Sequence, residues 1–571
     1  MPSQIQLVRK KSCIYLSEWL VSGALVSSSS RSRKTRVMLA EGRTVACALT
    51  ATRCTLASFC VQKLLVSSGF HIHLLLANIA TTTARHDRSQ TSTMETELRE
   101  KFSNAGQDHL FKYWDQLSES QQSAFLKQLS KLGDPEAFIR DVSNAIAYSS
   151  SVAESKEYTQ LPQSSYTSTI SSSKETLNEW ETKGIELIKD GKVGIILMAG
   201  GQGTRLGSSL PKGCYDVGLP SHKSLFQIQV ERIKKLEQLA GVEKSLTLYV
   251  MTSQPTRQPT EEFFQKHEYF GWDKEQIIFF NQGTLPAVDL EGQKLLLGQD
   301  KCSLAESPDG NGGLYKALFD NGILDSFKEK GIEHIHMYCI DNILVKVGDP
   351  TFMGFSVLNG FDVATKVVRK NDPAEKVGLI VLDKKANKPC VIEYSEISQK
   401  LSEAKDETDP SLLKLRAANI VNHYYNVDFL QRMVPQWIKS RKNLPYHIAK
   451  KKIACTDINT GEPIKPTENN GIKMEQFIFD VFPSVDLEKF GCLEVAREDE
   501  FSPLKNAPGS VSDSPEMCRA NCLKRSTRWI IENGGLLESA DALVEVSPLT
   551  SYFGEGLSGV ADQNFAADTV L

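Results

Sequence analysis

A chain of 571 residues, 40% hydrophobic and 24% charged, has the length and apolar content for two or three domains around at least one large core, which excludes a small cross-linked scaffold. Its net charge of −4 conceals an asymmetry: residues 1–93 carry 12 Lys/Arg against 3 Asp/Glu, and the remainder 54 against 67, so the body is acidic and lacks the electrostatic footprint of a nucleic-acid binder. The 12 cysteines show no paired C-x2-C spacing, which argues against structural zinc and a disulfide framework, and the absence of any Asn-x-Ser/Thr sequon favours the cytoplasm.

In chain order, residues 1–93 form a leader. Arg9, Lys10 and Lys11 before "SCIYLSEWLVSGALVSSSS" imitate a signal peptide, and the Arg/Ser/Thr-rich composition imitates an organelle transit sequence. Glu18 interrupts the apolar run, and "HIHLLLANIA" is too short to span a bilayer, so no membrane partner is expected. Three readings stay open: a spurious or alternative extension, a targeting segment, or a disordered tail. Met94 opens "METELREKF", which reads as a native start with acidic residues in a first helical turn.

Residues 94–190 read as an N-terminal helical region, with "HLFKYWDQLSESQQSAFLKQLSKLG" and "TLNEWETKGIELIKDGK" separated by a Ser/Thr-rich loop, "SSSVAESKEYTQLPQSSYTSTISSSKE". Over residues 191–510 aliphatic runs alternate with helical segments. Strands are predicted at "VGIILMAGG", "SLTLYVMTS", "QIIFFNQG", "HIHMYCIDNILV" and "FDVATKVVRK", helices at "SLFQIQVERIKKLEQLAG" and "PTEEFFQKHEYFGW". The fold class is therefore α/β, a Rossmann-like, mostly parallel sheet with helices on both faces, whose ligands lie beyond the carboxyl ends of the strands. Residues 511–571 form a small C-terminal domain, with one helix at "PEMCRANCLKRSTRWIIENGG" and short strands and turns in "ALVEVSPLTSYFGEG".

The first candidate site is "VGIILMAGGQGTRLGSSLPKG", a glycine-rich loop between a strand and a helix, where free N–H groups attract an anion and glycine lets it approach the backbone. The spacing Gly201-x-Gly203-x-x-x-Gly207 is one residue too long for the dinucleotide fingerprint, and no Gly-Lys-Ser/Thr follows as a P-loop requires. Arg205 and Lys212 remain among the glycines, cations suited to the charge that develops in phosphoryl or nucleotidyl transfer. Asp341 follows the aliphatic run of "HMYCIDN", and a carboxylate at that sheet edge suits Mg2+ (or Mn2+), which takes few protein oxygens beside phosphate and water. His334 and His336, alternating on a strand, read as packing rather than metal ligands, as do Cys518 and Cys522 one helical turn apart. Cys214, beside Lys212, is the one thiol whose neighbours would lower its pKa.

"LMAGGQGTRLGSSLPKG" closely resembles the signature of eukaryotic UDP-N-acetylhexosamine (UDP-N-acetylglucosamine) pyrophosphorylases, and the likeness continues in "PDGNGGLY", "YCIDNILVKV", "VVRKNDPAEKVG", "VIEYSEIS", "NGIKMEQFIFD" and "REDEFSPLKN". Departures are the leader and Ser307, where alanine is usual. The resemblance implies a catalytic nucleotidyltransferase domain over 191–510, in which Met198, Ala199, Gly200 and Gly201 line the nucleotide and Arg205 and Lys212 act over the triphosphate. It further implies that Gln282 and Gly310 read the uridine, Asn311 touches the sugar nucleotide, and Asp341 serves the nucleotide phosphate and metal. Glu393 would accept sugar hydroxyls, Asn419 contact the N-acetylhexosamine, Lys473 reach UTP and Lys505 grip the sugar phosphate. By pattern alone Glu393, Lys473 and Lys505 are indistinguishable from surface charges.

The expected activity is uridylyl transfer, UTP and N-acetylglucosamine 1-phosphate giving UDP-N-acetylglucosamine and pyrophosphate. The rivals are a UDP-glucose or broad-specificity UDP-sugar pyrophosphorylase and, in another class, a non-catalytic nucleotide-sugar-binding regulator. UTP and an N-acetylhexosamine 1-phosphate are the partners implied, and a homodimer is left open.

Overall fold

The computed structural model describes residues 93–151 and 157–571, and all of the leader except Thr93 lies outside them. Val193–Met198 (β2), Thr247–Thr252 (β3), Ile277–Asn281 (β4), His334–Cys339 (β5) and Val363–Arg369 (β6) are strands where aliphatic runs predict them. Every residue of β2 and β3 is buried. The alternating side chains feed two cores, Ile195, Leu197, Leu248 and Val250 on one face and Ile196, Met198, Tyr249 and Met251 on the other. The sheet is thus covered on both sides, which is why its strands read as unbroken apolar runs.

Three further strands complete the main path: Tyr166–Ser168 (β1), Ala417–Asn426 (β7) and Phe490–Glu494 (β8). The spatial order is β1-β8-β6-β7-β5-β2-β3-β4, within a sheet of 11 strands. All neighbours on this path are parallel except β7, which runs antiparallel to both β5 and β6. β1 lies inside the Ser/Thr-rich segment predicted to be loop. It forms because Tyr166–Ser168 find a long-range partner in Cys492–Glu494, and the Tyr166 hydroxyl bonds the Glu494 carboxylate. Such pairing leaves no local periodicity to detect.

Glu119–Leu132 (α1) starts in a capping box, Ser118 with Gln121, and ends at Gly133 with φ 74°. Lys174–Lys189 (α2), Leu225–Ala240 (α3), Gln254–Lys266 (α4), Pro350–Leu358 (α5) and Pro515–Glu532 (α6) follow, with Ser173, Ser224, Asp349 and Ser514 accepting first-turn N–H bonds for α2, α3, α5 and α6. The predicted helix "PTEEFFQKHEYFGW" stops at Lys266, because Glu268, Tyr269 and Phe270 take φ of 50°, 53° and 56°. After α6, the stretch Ala542–Gly556 is mainly turns. The short strands of this region are Leu536–Leu537 and Asn564–Phe565, around a satellite core of Trp529, Ile530, Val544, Val546 and Leu557. Residues 95–571 form one compact unit.

Candidate functional site at the carboxyl edge of the sheet

Strand order reverses between β2 and β5: β3 and β4 continue to one side of β2, whereas β5 lies on the other. This is the switch point at which an open α/β sheet leaves a crevice. Ile340 N donates to Met198 O there at 3.1 Å, so the glycine loop and Asp341 leave the sheet side by side.

Met198 and Ala199 are buried under the loop, and Gly201 is exposed with open space where a side chain would stand. The loop folds on itself through Gly203 N to Leu210 O at 3.1 Å and Lys212 N to Gly201 O at 3.2 Å. Gly200 is pinned from α4, whose N-cap Ser253 donates Oγ to Gly200 O at 2.8 Å. A Cβ at Gly200 would overlap Gln282 Oε1, so glycine is required for the loop to meet that amide. Gln282 follows β4 and is tied to the end of β3 by its N–H to Thr252 O at 2.8 Å. Its Nε2 faces Asp309 Oδ1 at 3.4 Å. Gly310, next in chain, takes φ 88°, and a Cβ there would stand 2.5 Å from Gln476 O. Asn311 Oδ1 accepts from Ile478 N at 3.0 Å. Gly312 N donates to Gln476 O and Gln476 N to Asp309 O, both at 2.8 Å. The strand Gly471–Glu475, which carries Lys473, is thereby docked on the Asp309–Gly313 turn, with Lys473 Nζ 2.6 Å from Glu475 Oε1.

A second group assembles on the far side of the loop. Lys212 Nζ donates to Leu504 O at 3.1 Å, and Leu504 N donates to Asp341 O at 2.9 Å. Lys212, Asp341 and Lys505 thus meet across one short main-chain bridge, although 293 positions separate Lys212 from Lys505. Burial pushes the neighbouring Cys339 thiol far above its ordinary range, Asp341 adds to the shift, and Lys212 and Lys505 oppose it. Arg205 lies exposed on the turn Thr204–Leu206, and no hydrogen bond or ion pair among the described residues holds its guanidinium.

The third group is built by β7. As the antiparallel strand it brings its N-terminal end, not its carboxyl end, to this edge. Asn419 N donates to Gly378 O at 2.9 Å, and a Cβ at Gly378 would stand 2.7 Å from Glu393 Oε1, so Asn419 and Glu393 flank one glycine. A bulge separates Asn419 from His423, with Val421 at φ 52° and its N–H bonded to Asn419 Oδ1 at 3.0 Å. A β-branched residue in that region is strained, and the strain sits beside the predicted sugar contact. Burial raises the Glu393 carboxyl and Glu396 adds to it, against His447 and Lys505.

Sequence reasoning missed His447, Phe477 and Asp480. His447 Nε2 lies 2.9 Å from Asp480 Oδ1, its ring stacks on Phe477 at 4.1 Å, and Asp480 Oδ2 accepts Phe477 N at 2.8 Å. Burial alone would depress this imidazole, but the bond to Asp480 and the charges of Asp480, Glu396 and Glu393 lift it above its ordinary value. No pattern marks this trio, since its members meet only when Gly471–Glu475 pairs with His447–Lys451. The reading of Cys214 is corrected: burial pushes its thiol up to about 12, and Lys212, its neighbour in sequence, does not lower it. His334 and His336 pack as expected, on the Tyr424 hydroxyl at 2.9 Å and on Asn422 Oδ1 at 2.8 Å, with His336 depressed to about 4 by burial. Cys518 and Cys522 are free and buried.

The donor set bears on the implied metal. Among the described residues no three His/Cys/Asp/Glu side chains converge on one point, at Asp341 or elsewhere. That fits a Mg2+ ion that arrives with nucleotide phosphates and takes one protein oxygen, rather than a resident metal in an all-protein cage.

The model of the family UTP--glucose-1-phosphate uridylyltransferase matches residues 135–552. The UDP-N-acetylglucosamine pyrophosphorylase of Saccharomyces cerevisiae is 54% identical over 470 residues, covering 81% of this chain and 96% of the yeast protein. The human UDP-N-acetylhexosamine pyrophosphorylase-like protein 1 is 41% identical over 489 residues, 81% of this chain and 94% of that protein. Among solved structures, the Trypanosoma brucei uridine diphosphate N-acetylglucosamine pyrophosphorylase superposes with a TM-score of 0.70 at 28% identity, over 82% of this chain and 94% of that one. Fold and sequence agree: the chain belongs to the uridylyltransferase family and, within it, to the eukaryotic UDP-N-acetylglucosamine pyrophosphorylases.

Proposed function

We propose that this protein joins UTP to N-acetylglucosamine 1-phosphate, giving UDP-N-acetylglucosamine and pyrophosphate. The observation that carries the reading is the convergence at one sheet edge of the glycine loop, Lys212, Lys505 and Asp341 with Glu393 and Asn419. A phosphate-binding turn, two cations and a pair of sugar-facing polar groups match the parts of one bisubstrate pocket. An oxygen of the sugar phosphate attacks the α-phosphorus; that P–O bond forms as the bond to the β-phosphate oxygen breaks, and pyrophosphate leaves with the electron pair. The attacking phosphate is already ionised at neutral pH, so no general base is required, and catalysis is positioning plus charge neutralisation.

Lys212 spends one of its three N–H donors on Leu504 O and keeps two for phosphate oxygens, and Lys505, one residue further, grips the sugar phosphate. Arg205, exposed and unpaired on the loop, can fork onto the leaving pyrophosphate. Lys473 reaches UTP by exchanging Glu475 for a phosphate oxygen. Asp341 would hold Mg2+ or Mn2+, which when bound neutralises phosphate charge. We place the reaction in the cytoplasm. The buried free thiols of Cys492, Cys518 and Cys522 suit a reducing compartment, and no helix of the described residues is long and apolar enough to cross a membrane.

Pyrophosphate release with UTP and each of three sugar phosphates tests the reading. A site built for an N-acetyl group leaves a cavity and unpaired polar partners when glucose 1-phosphate binds. Its kcat/KM should therefore fall roughly 30- to 1,000-fold below that of N-acetylglucosamine 1-phosphate. N-acetylgalactosamine 1-phosphate differs only at the 4-hydroxyl and should lie between them. Equal efficiency for glucose 1-phosphate would transfer the case to a broad UDP-sugar enzyme, and no pyrophosphate with any sugar to a regulator.

A further inference from the structure

Asp309 has no part in the chemistry above, yet it is an acid held in the interior, 3% exposed. Glycines make the room for it: a Cβ at Gly313 would overlap its carboxylate, and one at Gly283 would stand 2.5 Å from Oδ2. No ion pair among the described residues satisfies it; the hydrogen bonds it receives come from the main chain at Gly283 and Asp309 and from the Gln282 amide, with Lys316 the nearby charge. Gln282 Nε2 points at Asp309, and the other end of the same amide, Oε1, occupies the space over Gly200 in the nucleotide loop.

An amide has two faces of opposite character, NH2 donating and C=O accepting. Turned round, Gln282 would set its carbonyl oxygen against a buried carboxylate, two acceptors with no proton between them, while its NH2 faced the nucleotide. An unsatisfied buried pair of that kind costs more than one lost hydrogen bond.

We infer that Asp309 is a positioning residue that sets base specificity, locking the Gln282 amide with its oxygen toward the nucleotide so that the pocket accepts a uracil and rejects a cytosine. The inference rests on the reading that Gln282 meets the base. Uracil offers an N3–H donor to an accepting oxygen. Cytosine has a bare N3 there, and its lone pair would meet the amide oxygen head on. Burial pushes Asp309 up to about 6, so at pH 7.5 the carboxylate is ionised and acts purely as an acceptor.

The test compares kcat/KM for UTP and CTP at pH 7.5 with N-acetylglucosamine 1-phosphate, in the wild type, Asp309→Asn, Asp309→Ser and Gln282→Ala. The ratio of the two nucleotides on one preparation is independent of the fraction that is folded. Asparagine keeps the shape but can donate to the Gln282 oxygen, which frees the amide to turn. Serine keeps a small polar group in the same glycine cradle without the charge. Either Asp309 variant should narrow the UTP/CTP ratio at least tenfold, with activity toward UTP falling and that toward CTP falling less or rising. A wild-type ratio in both Asp309 variants, with a narrowed ratio in Gln282→Ala, overturns the role of Asp309 and leaves the base reading standing. An unchanged ratio in Gln282→Ala overturns the base reading itself, and the inference with it.

Discussion

Single side chains in this site do more than one task, and their substitutions should separate the tasks. Lys212 both faces the phosphate edge and ties the loop to Leu504 O at 3.1 Å. Lys212→Ala should lower kcat about 100-fold or more, roughly 3 kcal/mol of transition-state stabilisation, with little change in melting temperature because a half-exposed loop cation carries little folding energy. Steady-state kinetics beside a thermal melt checks this, and near-normal kcat in a folded variant would remove Lys212 from the reaction. Asp309 illustrates the opposite balance. Its folded pKa, about 6, lies above the ordinary 3.8, so the stability that its protonated form lends the fold is present below pH 4 and lost as pH rises through 6. At neutral pH the fold carries that charge at a cost, which is what a residue kept for positioning rather than stability looks like. Of the site residues, Lys212 and Asp341 stand out in the sequence because a glycine run and a strand end frame them. Glu393, Lys473 and Lys505 lack any such frame, since what singles them out is a neighbour far along the chain.

Elements set how closely these groups can approach. α2 and α5 touch backbone to backbone: a Cβ at Gly184 would collide with Pro350 O and one at Gly354 with Trp180 O, while Trp180 and Phe355 meet edge to face at 5.1 Å. Asp349, at the N-cap of α5, holds Lys366 of β6 at 2.6 Å and Lys346 at 3.0 Å, so this helix pair is fastened to the sheet by a buried ion cluster. Gly354→Ala should force the helices apart and lower stability by about 1–3 kcal/mol, read as a lower urea midpoint, while KM for UTP stays near wild type because the contact is remote from the glycine loop. An unchanged midpoint would mean that the helices yield without cost. Helix α2 itself is legible from its periodicity and its Ser173 cap. Its glycine seam with α5 is not, because nothing in "WETKG" names the helix that will lie against it.

For the whole molecule, the described unit from Glu95 to Leu571 contains the central sheet, both of its cores and every candidate site residue. A chain beginning at Met94 should therefore fold with an unchanged melting temperature and retain full uridylyltransferase activity. Insoluble or inactive protein from that start would show that residues 1–93 are needed for folding. The unit also brings Lys505 within electrostatic reach of Glu393 though their segments lie far apart in the chain.

By itself the sequence determined the local features: the buried parallel strands, the capped helices, and a glycine loop that keeps Arg205 and Lys212 among its glycines. Each of these depends on residues within one or two turns of each other, where spacing translates directly into geometry. Tertiary structure alone decided the rest. β1 exists because β8 lies beside it, and β7 runs backwards and presents Asn419 at the working edge because of its register against β5 and β6. Burial pushes the Cys214 thiol up although Lys212 is its neighbour in sequence, and the Gln282 amide directs its NH2 to Asp309. The physical reason is the same throughout. Hydrogen-bond partners and desolvation are properties of neighbours in space, and a one-dimensional pattern carries only neighbours in sequence.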